Sequence, residues 1–358
     1  MSQAGQMGGL ATSGHIKTRK RGHMVRTAFF GMAALFAFGA QAGTLEDIKA
    51  RGHLSCGVNA GLVGFAAQNG AGEWSGFDVG LCRALAAATL GDAGAVRFVG
   101  TTTASRFTAL LSGEVDVLIR NTTWSFTNDV ELQLDFAGIN YYDGQGFMVP
   151  RALGVSSARE LDGRTVCVSA DTTTLPNLEE YFSRNNMSYE PILVEASADA
   201  QALYLEGACE VYTTDASGLA ALRATFQNPG EHVLLPEIIS KEPLGPVVRH
   251  GDDQWGDVVR WTLNALIAAE ELGVTSVNLG EMLQGADHPE INRLLGGEAV
   301  FGQMLGLAPD WAAKAIQAGG NYGEIFARNI GETTPIGLSR GLNAKWIEGG
   351  LLYAQPFR

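Results

Sequence analysis

Four cysteines and six histidines are the side chains of this 358-residue sequence that most readily bind metals or act as nucleophiles and bases. The cysteines show no CxxC spacing, and the histidines are scattered without the spacing of metal ligands. No Ser/His/Asp or Cys/His pattern and no phosphate-binding loop is evident. We therefore expect no metal, no cofactor and no catalysis. In an oxidising compartment the cysteines would form two disulfides in one of three pairings.

The first 42 residues have the pattern of a secretory signal peptide. They contain five basic side chains and no acid, then an apolar run over residues 28–40, then Ala40-Gln41-Ala42. The apolar run is short for a membrane-spanning helix. This pattern predicts export with cleavage after Ala42. Two alternatives stay open, namely that Met24 is the true start and that the segment is an uncleaved membrane anchor.

The remainder of the chain is strongly acidic. Subtracting the five basic residues of the leader leaves 20 bases against 38 acids, a formal charge of −18. This balance argues against nucleic acid or anionic lipid as a partner. No later apolar run reaches the roughly 18 residues that a transmembrane helix needs. The length predicts two domains, and an apolar content of 46% is normal for globular proteins.

Strands and helices alternate along the chain. Short apolar segments predict strands, and apolar residues at three-to-four spacing predict helices. The predicted strands are 54–58, 96–99, 115–119, 165–169 and 191–194. The predicted helices begin near residues 78, 106, 176, 257 and 309. Such alternation predicts an α/β fold with largely parallel sheets that carry helices on both faces.

One unit of helix, glycine and strand recurs, as ALLSGEVDV in residues 109–117 and ALYLEGACEV in residues 202–211. In each copy an acid stands one residue before the last valine of the strand. The repeat predicts two α/β lobes of similar build, with a ligand beyond the carboxyl ends of the strands. Chance similarity of a common unit is the alternative.

The segment GFDVGLCRALAAA, residues 76–88, resembles the signature of periplasmic solute-binding proteins of polar amino acid ABC transporters, family 3. Further similar segments follow in the family's order: 106–124, 135–149, 212–223, 235–255 and 322–331. Together they resemble the general L-amino-acid-binding branch, and the likeness covers nearly all of the chain after residue 42. The resemblance implies a type II periplasmic binding protein fold, whose two hinge-joined lobes close on a ligand.

The resemblance implies that this sequence, like those of the family, divides into three parts. Residues 1–42 are the signal peptide, residues 43–146 plus 247–358 form lobe one with a helical C-terminal extension, and residues 147–246 form lobe two. The crossing segments are expected near Asp143–Met148 and Pro243–Val248. Gly80 replaces the second acid of the family signature, which indicates a structural change on the first helix.

This division also bears on the cysteines, since it places two in each lobe. The pairs are Cys56 with Cys82 in lobe one and Cys167 with Cys209 in lobe two. Pairing within each lobe leaves the hinge free, whereas a bridge between lobes would lock it. The resemblance therefore implies the pairing within lobes.

The resemblance further implies which residues hold a zwitterionic amino acid. Family members bind the ammonium group with an acid after a lobe-two strand, and Asp215 matches it; a helix cap is the alternative role. They bind the carboxylate with a Thr, matched by Thr123, and with an Arg five residues later. Asn128 stands at that Arg position, which is expected to weaken carboxylate binding by roughly 1.5–3 kcal/mol. Arg120, at the end of a strand, is a candidate substitute.

Other candidates for the pocket follow from the same resemblance. They are Asn59, Leu62, Phe65, Asn121, Trp124, Asp171, Thr172 and Thr173. Asp171 stands where relatives usually have glycine, so its carboxylate could repel the ligand's carboxylate or attract a cationic group. Helix capping is the alternative role for the threonines, and packing within a lobe is the alternative for Phe65 and Trp124.

The sequence thus predicts an exported, monomeric binding protein that delivers L-amino acids, with broad side-chain tolerance, to the inner-membrane permease of an ABC importer. A first alternative is a retuned binder of a non-standard ligand, because of Asn128 and Asp171. A second is a periplasmic dehydratase on the same scaffold, which would need a general acid in the cleft.

Overall fold

The computed structural model describes residues 43–285 and 288–358, so the predicted signal peptide and its cleavage after Ala42 lie outside the described residues. The strands, in chain order, are β1 (Leu54–Asn59), β2 (Ala67–Gln68), β3 (Trp74–Ser75), β4 (Val96–Thr101), β5 (Val117–Leu118), β6 (Leu134–Phe136), β7 (Tyr141–Asp143), β8 (Gln145–Pro150), β9 (Arg164–Ser169), β10 (Tyr189–Val194), β11 (Val211–Asp215), β12 (His232–Leu234), β13 (Glu242–Leu244) and β14 (Val247–Arg249). The α-helices are α1 (Thr44–Arg51), α2 (Phe77–Leu90), α3 (Arg106–Leu111), α4 (Thr174–Arg184), α5 (Ser197–Leu205), α6 (Ala216–Arg223), α7 (Asp253–Glu271), α8 (Leu279–Met282), α9 (Pro289–Leu294), α10 (Val300–Leu305), α11 (Trp311–Gly319) and α12 (Tyr322–Asn329).

Two five-stranded sheets of matching topology organise these elements. The first has the order β4-β1-β5-β14-β6, and the second has the order β10-β9-β11-β8-β12. In each sheet one strand, β14 or β8, runs antiparallel to both of its neighbours, while the pairs around β1 and β9 are parallel. The structure therefore confirms two α/β lobes with mainly parallel sheets. We call the lobe built on the first sheet lobe one and the other lobe two.

The repeated unit of the sequence occupies the same place in both lobes. Helix α3 leads through Gly113 into β5, and α5 leads through Gly207 into β11, each the strand beside the antiparallel one. Both glycines have positive φ, +79° and +76°, a conformation that side chains disfavour. Strand β5 is shorter than the predicted 115–119. Just before it, the Asp116 carboxylate accepts the N–H of Ser55 on the neighbouring strand at 2.7 Å.

The two connections between the sheets run side by side. Strands β7 and β13 lie in these connections and pair antiparallel, with Asp143 opposite Glu242 and Tyr141 opposite Leu244. This paired stretch overlaps the crossings expected from the sequence at Asp143, Pro243 and Leu244, while Gln145–Pro150 already belongs to the second sheet and Val247–Arg249 to the first. A two-stranded link of this kind is a natural hinge.

Both disulfides lie within lobes, as the resemblance implied. Cys56 on β1 is bonded to Cys82 on α2, and Cys167 on β9 is bonded to Cys209, which precedes β11. Each bridge therefore fastens a central strand to a neighbouring element of its own lobe, and neither crosses the hinge.

The C-terminal helices pack on lobe one. Helix α11 lies against α2 and α7, and α12 packs on the same two helices. At Gly80 on α2 a Cβ atom would lie 2.9 Å from Ile325 Cγ2 of α12, which explains why no acid stands there. Within residues 43–285 and 288–358, no helix combines the length and apolarity needed to cross a membrane.

Candidate functional site

A cavity of about 810 Å³ is lined by residues that follow the carboxyl ends of strands in both sheets. Lobe one contributes Asn59, Thr101 and Arg120, and lobe two contributes Ser169 and Asp215. Parallel α/β sheets place ligands at these strand ends. The volume lies in the upper part of the range of small-molecule sites, about 300–1,000 Å³.

Most of the residues singled out from the sequence line this cavity. They are Asn59, Leu62, Asn121, Thr123, Asn128, Asp171, Thr172, Thr173 and Asp215. Their roles toward a ligand stay predictions. Thr172 also makes a contact of the kind expected for helix capping. Its hydroxyl accepts the N–H of Thr174, the first residue of α4, at 3.2 Å and donates to the Ser169 carbonyl at 2.9 Å.

Phe65 and Trp124 do not line the cavity, which corrects their placement from the sequence. The Phe65 loop is held on the start of α2, because the N–H of Asp78 donates to the Phe65 carbonyl at 3.0 Å. The Phe65 ring is buried in the core of lobe one, edge-on to Tyr141 at 5.8 Å between centroids. The Trp124 ring stacks on Phe136 at 5.4 Å, and its indole N–H donates to Asp129 at 2.8 Å.

Asp171 adopts a left-handed backbone with φ +54°, a conformation that glycine adopts most easily and that Asp tolerates. This fits the glycine that the family resemblance implies at this position. Its carbonyl accepts a hydrogen bond from Arg106 Nη2 at 3.3 Å, which joins lobe two to lobe one, and its side chain is exposed.

Thr123 and Asn128, the expected carboxylate-binding pair, are engaged within the protein. The Asn128 amide donates to the Thr123 carbonyl at 2.8 Å. The Thr123 hydroxyl donates to the carboxylate of Glu242 at 2.5 Å. The family resemblance implies that the Thr123 hydroxyl donates to the carboxylate of the ligand. In this structure it donates to a carboxylate of the protein instead.

Glu242 connects both lobes through the hinge. Its carboxylate is buried on β13 and accepts hydrogen bonds from Thr123 of lobe one and from Thr173 and Asn177 of lobe two, at 2.9 and 2.7 Å for the latter two. Ser240 adds a fourth donor at 2.6 Å. Sequence reasoning missed this residue. The only feature of the sequence that could have indicated its role is its place, as a single acid between Lys241 and Pro243, beside an expected crossing segment.

Replacing Glu242 by glutamine is expected to lower the free energy of unfolding by about 1.5–3 kcal/mol, because a charged acceptor of four hydrogen bonds is lost. Urea denaturation measures this change. We also expect the ligand-free variant to have a larger radius of gyration in solution scattering, since the tie between the lobes is weakened.

The matched control for this variant is Glu237→Gln. Glu237 accepts hydrogen bonds from Ser157 and the Ala158 N–H, both in lobe two, so its loss leaves the tie between the lobes intact. An unchanged radius of gyration for Glu242→Gln, or an equal increase for Glu237→Gln, would contradict the bridging role.

Asp215 ends β11 at the start of helix α6, and it does not cap that helix with its side chain. Burial raises the pKa of Asp215 well above its usual range, and the nearby charges of Asp143 and Glu242 raise it further, while Arg120 opposes them. Burial also raises the pKa of Asp143 to about 6, against hydrogen bonds from Ser217 and the Gly144 N–H. Carboxylates clustered in this way favour a cation as neighbour.

Two arginines line the lobe-one side of the cavity, Arg106 at the start of α3 and Arg120 after β5. Both are buried, with 6% and 5% exposure. Burial lowers the pKa of Arg106 to about 10 and that of Arg120 to about 9, so both stay protonated at neutral pH. The sequence suggested Arg120 and missed Arg106, whose only signal was a cation at the first position of a helix.

The cavity therefore offers acids from lobe two and guanidinium groups from lobe one. Its described lining contains no cysteine and no histidine. In the described part of the chain, no three His, Cys, Asp or Glu side chains lie where they could share a metal ion. Opposite charges on two walls suit a small dipolar solute, which each wall would neutralise at one end.

The sequence matches the family model of the bacterial extracellular solute-binding proteins, family 3, over residues 54–276. It is 59% identical over 338 residues to the glutamate/glutamine/aspartate/asparagine-binding protein BztA of Rhodobacter capsulatus, covering 94% of this chain and 100% of the relative. It is 54% identical over 331 residues to the general L-amino acid-binding periplasmic protein AapJ of Rhizobium johnstonii, covering 91% and 97%. A solved structure, an ABC transporter periplasmic binding protein from Brucella ovis with glutathione bound, has 55% identity and a TM-score of 0.87, covering 88% of this chain and 100% of that one.

Proposed function

Because the chain belongs to the bacterial extracellular solute-binding proteins of family 3, we propose that it is the periplasmic amino acid-binding component of an ABC importer. It binds L-amino acids, with broad side-chain tolerance, between its two lobes. The observation that carries this proposal is the cavity itself, which lies at the strand ends of both sheets and carries acids on one wall and guanidinium groups on the other. Two relatives that are named as amino acid-binding proteins, BztA and AapJ, support amino acids as the ligand class.

Lobe one, in this proposal, comprises residues 43–146 and 247–358, and lobe two comprises residues 147–246. The strand orders support this division to within two residues, since β1, β4, β5, β6 and β14 pair in one sheet and β8 to β12 in the other, with β8 beginning at Gln145. Ligand stabilises the closed arrangement of the lobes, and the membrane permease recognises that arrangement. The protein acts as a monomer, and its signal peptide is cleaved after Ala42.

Asp215 binds the ligand's ammonium group in this proposal, since it is a half-buried carboxylate that lines the cavity without capping its helix. The lining residues Asn59, Leu62 and Asn121 contact the ligand from lobe one, and Asp171, Thr172 and Thr173 contact it from lobe two. The role is transport without chemistry. A dehydratase would need a positioned general acid, and Asp171, the candidate, has an exposed side chain.

Calorimetric titration of the protein purified from the periplasm with the twenty amino acids tests the proposal, alongside an Asn128→Arg variant. We expect the wild type to bind several of them. If the wild type binds none while the variant binds, the alternative of a binder retuned to another ligand is correct. If product forms from a bound solute, the protein is an enzyme.

Ligand affinity is expected to rise with pH over the range between the ordinary pKa of an aspartic acid and the raised pKa of Asp215. Burial, together with the charges of Asp143 and Glu242, raises that pKa in the free protein, so a proton bound there in this range must leave when an ammonium group binds. Release of one proton gives an increase of up to about tenfold per pH unit. Titrations at several pH values, in buffers of different ionisation enthalpy, measure the proton. A dissociation constant that does not vary over this range would contradict the assignment.

A further inference from the structure

The charges on the cavity wall are few. Within the described lining the only cations are Arg106 and Arg120, and the acids are Asp171 and Asp215. Asn128 brings no charge, and its amide is already bonded to the Thr123 carbonyl at 2.8 Å. A carboxylate that enters this cavity can therefore be neutralised only by the two arginines.

Arg120 has a buried guanidinium group that the charges of Asp78 and Asp215 influence, but no side chain of the described residues is hydrogen-bonded to it or paired with it. Its side chain is 95% buried, its Nε donates to nothing, and it forms no ion pair within residues 43–285 and 288–358. Buried guanidinium groups in proteins are normally paired and hydrogen-bonded, because leaving one unpaired costs several kcal/mol. A role in binding an anionic group accounts for this arrangement.

Arg106 stands near Arg120 and is held more firmly. Its Nη1 donates to the Thr103 carbonyl and its Nη2 to the Asp171 carbonyl, its guanidinium lies over the Phe107 ring at 4.3 Å, and its Nε has no partner. Its charge contributes to the lowered pKa of Arg120, so the two cations repel each other in the free protein. An anion bound beside them relieves that repulsion.

A structural ion pair between Arg120 and Asp78 is the competing explanation. Asp78 is buried at the start of α2 and its charge acts on Arg120, but the two groups form no ion pair, and Asp78 Oδ2 also lacks a partner. Burial raises the pKa of Asp78 well above its usual range, which favours the neutral acid. Asp78 therefore does not satisfy the guanidinium group.

We propose that Arg120, with Arg106 beside it, binds a carboxylate of the ligand and so takes the place of the arginine that is absent at position 128. This inference rests on the proposed function and names the residues of its anionic contact. The carboxylate is either the α-carboxylate, common to all amino acids, or the side-chain carboxylate of an acidic ligand. Two guanidinium forks suit the planar, bidentate geometry of either group.

The test is calorimetry of the wild type, Arg120→Gln and Arg120→Lys with glutamate, glutamine and 4-aminobutyrate. We expect Arg120→Gln to weaken glutamate binding by about 10- to 100-fold, and Arg120→Lys to lose less, because it keeps the charge without the fork. An equal loss for glutamine, with no binding of 4-aminobutyrate by the wild type, assigns the α-carboxylate. Retained glutamine binding assigns the side-chain carboxylate.

Two further variants protect the test against a folding defect. Asp78→Asn combined with Arg120→Gln removes both buried charges and keeps the shapes, so it replaces Arg120→Gln if that variant does not fold. Adding Asn128→Arg to Arg120→Gln is expected to restore at least part of the lost affinity, because it returns a cation to the cavity wall.

Unchanged affinity for all ligands in a folded Arg120→Gln protein would overturn the inference and leave the proposed function standing. A wild type that binds none of the ligands would defeat the proposed function itself.

Discussion

Substituting Asp215 by asparagine is expected to weaken amino acid binding by roughly 30-fold to several thousand-fold. Removing one charge of a buried, hydrogen-bonded ion pair costs about 2–5 kcal/mol, because the ligand's ammonium group is then left without a counter-charge. The free protein is expected to be no less stable, since ionisation of Asp215 is opposed by burial and by Asp143 and Glu242. Calorimetry gives the affinity, and urea denaturation gives the stability.

The matched control for Asp215→Asn is Glu206→Gln, which neutralises an exposed acid that follows helix α5 in the same lobe. It should leave affinity unchanged, so any effect of overall charge is accounted for. Asp215→Asn binding within threefold of the wild type would show that the ammonium group is held elsewhere. Our assignment of the two cavity walls would then be incorrect.

The disulfide between Cys56 and Cys82 is expected to contribute about 3.5 kcal/mol to the free energy of unfolding. The bond spans 26 residues of the sequence, and the chain-entropy model gives this value for a loop of that size. The double variant Cys56→Ala with Cys82→Ala should therefore unfold at a clearly lower urea concentration. Ligand binding should persist under native conditions, because neither cysteine lines the cavity.

The second bridge provides the comparison. Cys167 and Cys209 are 42 residues apart, so their replacement is expected to cost slightly more, about 4 kcal/mol. The two effects should add, since the bridges lie in different lobes and share no partner. A loss of less than about 1 kcal/mol in either double variant would contradict a stabilising role for that bond.

Most of the fold could be predicted from local patterns. The helix beginning at Arg106 ends at Leu111, where Gly113 supplies the left-handed residue that stops it, and the repeated unit at Gly207 does the same. Apolar periodicity and glycine act over a few residues, so these features are legible in the sequence. The pairing of the cysteines needed the lobe division, which came from resemblance alone.

The site was predictable where a residue's position at a strand end decides its place. Asp215 reaches the cavity because its strand ends there. Phe65 could not be placed, because an aromatic ring in a loop turns toward the core or the cavity according to how the loop docks on α2. Glu242 was invisible for a different reason, since its donors come from both lobes and meet only when the hinge assembles.

The loss of the arginine at position 128 made amino acid binding look doubtful from the sequence. Under our proposal Arg120 supplies the missing positive charge, since it lines the same cavity as a buried cation at the end of β5. Whether a guanidinium group faces a cavity depends on the packing of the elements beneath it. Spacing along the chain does not encode that packing.

A crystal structure of the protein grown with saturating glutamate tests the central claim most directly. We predict one ligand molecule in the cavity between the lobes, with its ammonium nitrogen within about 3.2 Å of the Asp215 carboxylate. Electron density for glutamate elsewhere on the surface, or a cavity that holds only water at a concentration that saturates calorimetric binding, would contradict it.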